Sequence, residues 1–365
     1  MLRVMIVGGT GNYGGYVARS LADDPKIQLI ISGRRLSKAQ IVADALGACN
    51  KAEAIAYDLT GAPEAMAKVR PGIVINAVGP YHDQTYAVVE AAITCGAHYC
   101  DLADTRDFVT GIVSLDDRAR SAGVAVISGA SSIPALTAAY CDSAVSEGMT
   151  IRSVRCGISG AQQSNQGAGT AAGALRYAGE RFTRPEAGVM RAVTGWTGHR
   201  RVRIPGLGQR WFAHANAPDL DLFGARYPEL QNQGFYAGHE IPALHFATGA
   251  LARLRSLRLL PRLDYLAPPL VKVSQLFNSL GRGESCMFLH IEGEDPAGKT
   301  QVKRHFIIVR DGHGPYIPCI PVVHIAKQLS AGRVIEPGAR PCLGLISLHQ
   351  YRAELEKLHA EVIDQ

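Results

Sequence analysis

A doubly wound α/β domain on a parallel sheet, followed by a second α+β domain with a mixed or antiparallel sheet, is the architecture this chain predicts. Three observations carry the prediction. From residue 3 to about 148, apolar strand-like runs alternate with helical periodicity, the grammar of a parallel sheet covered on both faces. The first of these runs, residues 3–7, opens directly into Gly8, Gly11 and Gly14, and a helical pattern faced by Val17, Ala18 and Leu21 follows. Beyond about residue 149 the pattern changes to short alternating runs separated by glycine and proline, as expected of antiparallel strands.

The elements of the first half follow in order. Strands are expected at residues 3–7, 27–32, 54–57, 72–77, 98–102 and 124–128. Helices are expected at 37–46, 63–69, 83–95 and 115–122, three of them stopped by Gly47, Gly96 and Gly123. Strand, glycine turn and helix form the context in which a glycine motif becomes a dinucleotide site. Gly8 makes the tight turn, Gly11 admits a pyrophosphate to the backbone, and Gly14 lets helix and strand pack closely. The helix N-terminus, at Thr10, Asn12 and Tyr13, presents N–H groups and a favourable dipole to phosphate. An ordinary tight turn would use the same glycines, but position and context favour nucleotide binding.

Open parallel sheets bind ligands at the carboxyl ends of their strands, so the remaining candidates are found there. A free ribose 2′-hydroxyl is usually met by an acidic residue after the second strand; this chain has Ser32-Gly33-Arg34-Arg35. A hydroxyl and two guanidiniums suit a 2′-phosphate, so NADP is favoured over NAD, against the alternative of a solvated arginine pair. Asp58 is a candidate for the adenine, or equally the acceptor of a local turn with Thr60. Ala77, Val78, Gly79 and Pro80 follow the fourth strand beside the cofactor. Tyr81 and His82 follow them, and Asp101 and Asp104 close the fifth strand; these four are the candidate proton donors or substrate anchors. His82 has the most suitable ordinary pKa, with capping of the next helix as its structural alternative; for Asp101 the alternative is a bond across the sheet. Ser131 and Ser132 precede Pro134 at an expected helix start, where backbone N–H groups would hold a substrate carboxylate.

Several ordered segments together resemble the saccharopine dehydrogenase (reductase)-like family. They are Gly8-Gly9-Thr10-Gly11-Asn12-Tyr13-Gly14, Ser32-Gly33-Arg34-Arg35 and Asn76-Ala77-Val78-Gly79-Pro80-Tyr81. Cys95-Gly96-Ala97-His98-Tyr99-Cys100-Asp101-Leu102 matches the family's Cys-x-x-Gly and Tyr-x-Asp pattern loosely, and Gly129 to Thr137 matches its Gly-x-x-x-x-Pro-Gly segment with Ala135 in place of the last glycine. The tail around Glu336-Pro337-Gly338-Ala339-Arg340-Pro341 is also similar. The resemblance covers most of the first 145 residues and the last 50. It implies a nicotinamide cofactor, usually NADP, in a Rossmann domain, and a second domain that closes over the nicotinamide and dimerises. It also implies reduction of an imine, with other members acting on polyamine precursors or lipid-like substrates. Where the family commonly has Gly-Glu after Tyr-x-Asp-Leu, this chain has Ala103-Asp104, an acid one methylene shorter.

The expected division is a dinucleotide domain at 1–148 completed by helices within 316–365 (322–329 and 350–362), and a substrate and dimerisation domain at 149–315. In the latter, residues 151–159, 189–193, 200–204, 209–212, 287–292 and 302–309 read as strands and 167–178 as a helix. Residues 241–280 are apolar but carry four arginines; a helical pair broken at Pro261, Pro268 and Pro269 is favoured over a membrane-surface segment. His239 and His245 are six apart with Pro242 between them and share no helical face, so no zinc site is read there.

Composition bounds the rest. The 365 residues allow two domains, and a net charge of +6 spread along the chain excludes a dense nucleic-acid-binding face. The eight cysteines form no CxxC and no disulfide framework, which points to reduced thiols in the cytoplasm. The expectation is therefore an NADP-dependent oxidoreductase, a homodimer acting on a small molecule with a C=N bond. The alternatives are reduction of a lipid-like or polyketide C=C bond and a non-catalytic NADP-binding sensor or scaffold.

Overall fold

The computed structural model describes residues 1–60, 62–164 and 167–365. The chain divides into two compact units, residues 1–135 with 318–346 and residues 136–317 with 347–365.

In the first unit, β1 (Leu2–Val7), α1 (Asn12–Ala22), β2 (Ile27–Gly33), α2 (Leu36–Ala45), β3 (Glu53–Ala56) and α3 (Pro63–Val69) run in strict alternation. They are followed by β4 (Ile73–Asn76), α4 (Ala87–Thr94), β5 (His98–Asp101), α5 (Arg106–Gly111), α6 (Asp116–Ser121) and β6 (Ala125–Ser128). Successive residues such as Met5 and Ile6, or Ile30 and Ile31, are wholly buried, as strands covered on both faces require. The strand order is β3-β2-β1-β4-β5-β6, so the order reverses between β1 and β4, each pairing in parallel with the other. One core packs Met5, Val74, Tyr99 and Val126 beneath Val88, Val89, Ala92, Ile112 and Leu115, and each such burial is worth about 1.5–3 kcal/mol.

The second unit contains α7 (Thr137–Ser146), β7 (Thr150–Gly160), α8 (Gly167–Arg176), β8 (Arg181–Glu186), β9 (Val189–Thr194), β10 (Arg200–Ile204) and β11 (Gly208–His214). It continues with α9 (Asp219–Arg226), β12 (Asn232–His239), α10 (Pro242–Ser256), α11 (Ala267–Gln275), β13 (Ser285–Glu294) and β14 (Thr300–Val309). The chain then returns to the first unit as α12 (Ile320–Ser330) and β15 (Gly338–Pro341), and ends in the second as α13 (Leu348–Lys357) and β16 (Glu361–Asp364). The second sheet has the order β10-β11-β12-β7-β13-β14-β16 and is mixed: β12 and β7 are parallel and the other pairs antiparallel.

Several features depart from the sequence reading. The unit boundary falls at 135 and 136, because α7 packs against β7 rather than closing the first sheet. The expected helix 83–95 begins at Ala87, after a turn that starts with Tyr81. Of the tail, α12 packs on α1 and β15 adds a seventh parallel strand beside β6, whereas α13 packs on α7. The end of the expected helix 350–362 is strand β16, paired with β14. β7, expected as a half-solvated antiparallel strand, lies at the centre of its sheet with most of its residues buried. In the 241–280 stretch, Pro242 and Pro268 occupy helix starts, where the missing N–H costs nothing.

Candidate functional site

The reversal of strand order places the ends of β1 and β4 side by side, and the loops leaving them define the site in the first unit. After Val7 the chain turns through Gly8, whose φ of 79° lies in the left-handed region. A Cβ on Gly8 would sit 2.5 Å from Val78 Cγ2, so the β1 and β4 loops touch at this glycine. The Gly11 N–H donates to the Gly8 carbonyl (2.9 Å), and Gly11 is the N-cap of α1 with no side-chain cap and no acidic residue in the first turn. A Cβ on Gly14 would lie 2.3 Å from the Gly8 carbonyl oxygen, whereas on Gly11 it would meet only that oxygen, at 3.2 Å. Gly14 is thus required by internal packing, and Gly11 leaves open space in front of an uncapped helix terminus. That cradle fits the pyrophosphate of a dinucleotide, with the N-terminal turn at Asn12 and Tyr13 behind it.

Ser32 is buried and its hydroxyl donates to the Ile6 carbonyl (3.0 Å), so it locks β2 to β1 and is not available to a ligand. A Cβ on Gly33 would lie 3.1 Å from Thr10 Oγ1, so Thr10 closes over the end of β2. Arg34 and Arg35 are exposed beyond it. Asp58 accepts from the Thr60 N–H (3.0 Å) and from its hydroxyl; these bonds, with a smaller contribution from Arg34, lower its carboxyl below the usual range. The carboxylate is exposed and stays charged, beside the arginine pair.

The β4 loop is held by residues that motif reading passed over. Buried Asn76 accepts the Val78 N–H (3.1 Å) and donates to Gln84 Oε1 (3.2 Å), and the Gln84 amide donates to the carbonyls of Val78 and Pro80. Asparagine at a strand end was a readable signal; Gln84 had none. Ala77, whose N–H donates to Val7 (2.9 Å), Val78, Gly79 and Pro80 are fixed in place by this network.

The four candidate proton donors separate sharply. Tyr81 is buried; its hydroxyl donates to the Asn76 carbonyl (2.8 Å) and accepts from the Leu102 N–H (3.2 Å), and burial drives its pKa well above 10. It brackets β4 to β5. Asp101 is likewise buried and accepts from Ser128 Oγ (2.9 Å), the Gly129 N–H (2.8 Å) and the Ala103 N–H (3.0 Å). Burial pushes its carboxyl up to about 6 against these bonds, and it ties β5 to the end of β6. His82 does not cap α4, whose N-cap is Tyr86; its Nε2 faces the Asp83 carboxylate at 3.2 Å. Asp104 is solvent-exposed and lies near enough to His82 for an imidazolium there to favour its carboxylate. Ser131 and Ser132 are buried at the entry to a helical turn, Ser132–Leu136, which is interrupted at Ile133 (φ −122°, ψ 117°) and runs on into α7.

A glycine-built cradle at the switch point of a seven-stranded parallel sheet, joined to a second mixed-sheet domain, defines a nicotinamide-dinucleotide-dependent oxidoreductase. Residues 4–127 match the family described as the saccharopine dehydrogenase NADP binding domain. No curated protein matches the chain in sequence. Among solved structures, apo saccharopine dehydrogenase (L-Glu forming) from Saccharomyces cerevisiae aligns over 100% of this chain and 99% of its own, with a TM-score of 0.71 and 17% identity. The homospermidine synthase of Legionella pneumophila, solved with NAD, aligns over 100% and 91%, with a TM-score of 0.57 and 12% identity. Both therefore share the fold with this chain. No helix among the described residues is long and apolar enough to cross a membrane.

Proposed function

We propose that this chain is an NADP-dependent oxidoreductase that transfers a hydride to or from a C=N bond of a small imine or amine. The observation that carries the cofactor assignment is the end of β2, where Arg34 and Arg35 stand exposed beside the cradle in the place an acidic residue would occupy for NAD. A guanidinium fork matches phosphate oxygens, and Asp58 close by orients Arg34. The C=N assignment is supported by the fold shared over its full length with the yeast saccharopine dehydrogenase and the homospermidine synthase. Bound at this site, a nicotinamide ring supplies or accepts the hydride.

The chain's own contribution is to bind, orient and protonate. Residues 8–14 hold the pyrophosphate, and the β4 loop at residues 77–80, braced by Asn76 and Gln84, provides a rigid wall beside it. Asp104 is the proton carrier in this reading: it is exposed, follows β5, and has His82 beside it. His82 tunes it from the neighbouring loop. Tyr81 and Asp101 position the strand ends that carry them. The small-molecule enzyme so described is a cytoplasmic homodimer in the same reading, consistent with eight free cysteines.

The test is a titration of both cofactors. Arg34→Asp is expected to weaken NADPH about 10–100-fold, the worth of one or two charge-assisted bonds, and NADH by no more than about threefold. Equal losses would sink the phosphate assignment. Asp104→Asn is expected to retain NADPH binding and to lower turnover of an imine substrate, and to abolish the fall in activity as pH rises through the Asp104 titration; unchanged turnover would return the proton role to His82.

A further inference from the structure

The second sheet carries a feature that the dinucleotide site does not use. Strands β7, β13 and β14 lie side by side, and their register sets Arg155 opposite His290 and His290 opposite Arg304. Two guanidiniums thus flank one imidazole across three neighbouring strands, with Arg155 and His290 half-buried and Arg304 exposed. Arg200 on β10 joins them: it lies over the Tyr236 ring at 4.0 Å, and burial, then the neighbouring Arg184 and Arg155, push its pKa down. His290 is driven down to about 4 by burial, Arg304 and Arg155, so it stands neutral among cations.

The sheet curls over this face, because Ile204 of β10 packs in one apolar cluster with Phe288, Phe306 and Ile308 of β13 and β14. The half-open cavity on it measures about 970 Å³ and is lined by Arg155, Arg200, Arg304 and His290 together with Val202 and Pro205. Three polar atoms of its lining, Arg155 Nε, Arg200 Nε and His290 Nε2, are buried without a hydrogen-bond partner, which buried donors rarely tolerate. Carboxylates do not balance the charge: Glu292 pairs with Arg155 and Glu186 with Arg184, leaving Arg200 and Arg304 without an acidic partner among the described residues.

We propose that this cavity binds an organic oxyanion with an apolar body, a carboxylate or phosphate head set among Arg155, Arg200 and Arg304 and the body laid on the half-buried Val202 and Pro205. Planar guanidinium forks are suited to such heads, and these two side chains supply apolar surface that a bare inorganic ion would leave unused. A second copy of the chain is a poor occupant, since a two-fold contact sets the face against itself, cation to cation.

Calorimetric titration of the full chain with octyl phosphate, octanoate and inorganic phosphate tests the proposal. Both octyl compounds are expected to bind saturably, the tighter of them naming the head, and inorganic phosphate at least about tenfold more weakly. Arg200→Gln combined with Arg304→Gln is expected to lose about tenfold or more in octyl-compound affinity while NADPH affinity, read in the same samples as a check on folding, stays unchanged. Arg333→Gln, on the surface of the first unit, is expected to change nothing. The absence of saturable binding, equal affinity of the double variant, or inorganic phosphate binding as tightly as the octyl compounds would each overturn the proposal. So would a double variant whose only change is its mass in sedimentation, which would make the face a contact between copies.

Discussion

The two sheets of this molecule put their chemistry in different places. In the parallel sheet the functional groups sit at the carboxyl ends of strands, and most are backbone: the uncapped start of α1, the turn at Gly8 and the braced loop at residues 77–80. Its faces are closed by helices and largely apolar. In the mixed sheet the polar groups sit on a face, and they are side chains: Arg155, His290 and Arg304 in a row across three strands. A parallel sheet built from βαβ units has both faces covered and only its edge of strand ends free, whereas an antiparallel meander is free to leave one face for a ligand. Binding at the first sheet is therefore governed by steric room at glycines, and at the second by charge and solvation.

That contrast can be broken most forcefully at two glycines. Gly14→Ala sets a Cβ 2.3 Å from the Gly8 carbonyl oxygen, backbone on both sides, and is expected to cost about 1–3 kcal/mol or more of stability in thermal melts. Gly11→Val meets only one oxygen, at 3.2 Å for its Cβ, and is expected to leave the melting transition nearly unchanged while weakening NADPH about 100-fold through lost phosphate contacts. If both variants melt alike, steric room for a ligand and room for packing are one property here, not two.

A smaller effect separates two buried carboxylates, one in each unit. Asp101 is bonded on all sides, whereas Asp219 accepts a single bond from the Thr137 hydroxyl (2.7 Å) and its Oδ1 has no partner. Burial accordingly raises Asp219 to about 7, higher than Asp101 at about 6. The native state then holds a proton that the unfolded chain releases above about pH 4, so stability falls as pH rises from about 4 to 7, by on the order of 4 kcal/mol at most. Asp219→Asn is expected to flatten this slope in melts taken between pH 5 and 8, leaving the shallower contribution of Asp101. An unaltered slope would show that Asp219 is hydrated and ordinary.

The parts of the fold that sequence revealed were those with strong local pattern. Strands β1 to β6 are continuous apolar runs ended by glycine or by a following helix, and the cradle lies in one contiguous stretch. β15 escaped because Gly338-Ala339-Arg340-Pro341 is four residues long with glycine and proline at its ends; pairing with β6 makes it a strand. β8 contains Pro185 and β12 begins Asn-Gln-Gly, so neither carries the composition of a strand, and both are set by their partners. β16 follows α13 so closely that its apolar residues read as another helical turn. At the site, the arginine pair was visible as a motif and a bond across the sheet was the open alternative for Asp101, but the part of Tyr81 as a bracket was not visible. That depends on which backbone groups approach its hydroxyl, and no residue spacing encodes it. The basic face was invisible for a related reason, since Arg155, Arg200, His290 and Arg304 meet only through the pairing of distant strands.

The position of β15 has a consequence for how the molecule is made. Strand β6 leaves the ribosome early, yet its outer neighbour follows only after roughly two hundred further residues, a delay of roughly 10–40 s at ordinary elongation rates. For that interval the nascent first domain displays an unpaired apolar edge, the kind of surface on which chains aggregate and which holdase chaperones shield. Residues 1–135 expressed alone would carry that edge permanently. A soluble, isolated nucleotide-binding domain calls for residues 318–346 to be spliced directly behind them, turning an interrupted unit into a continuous one.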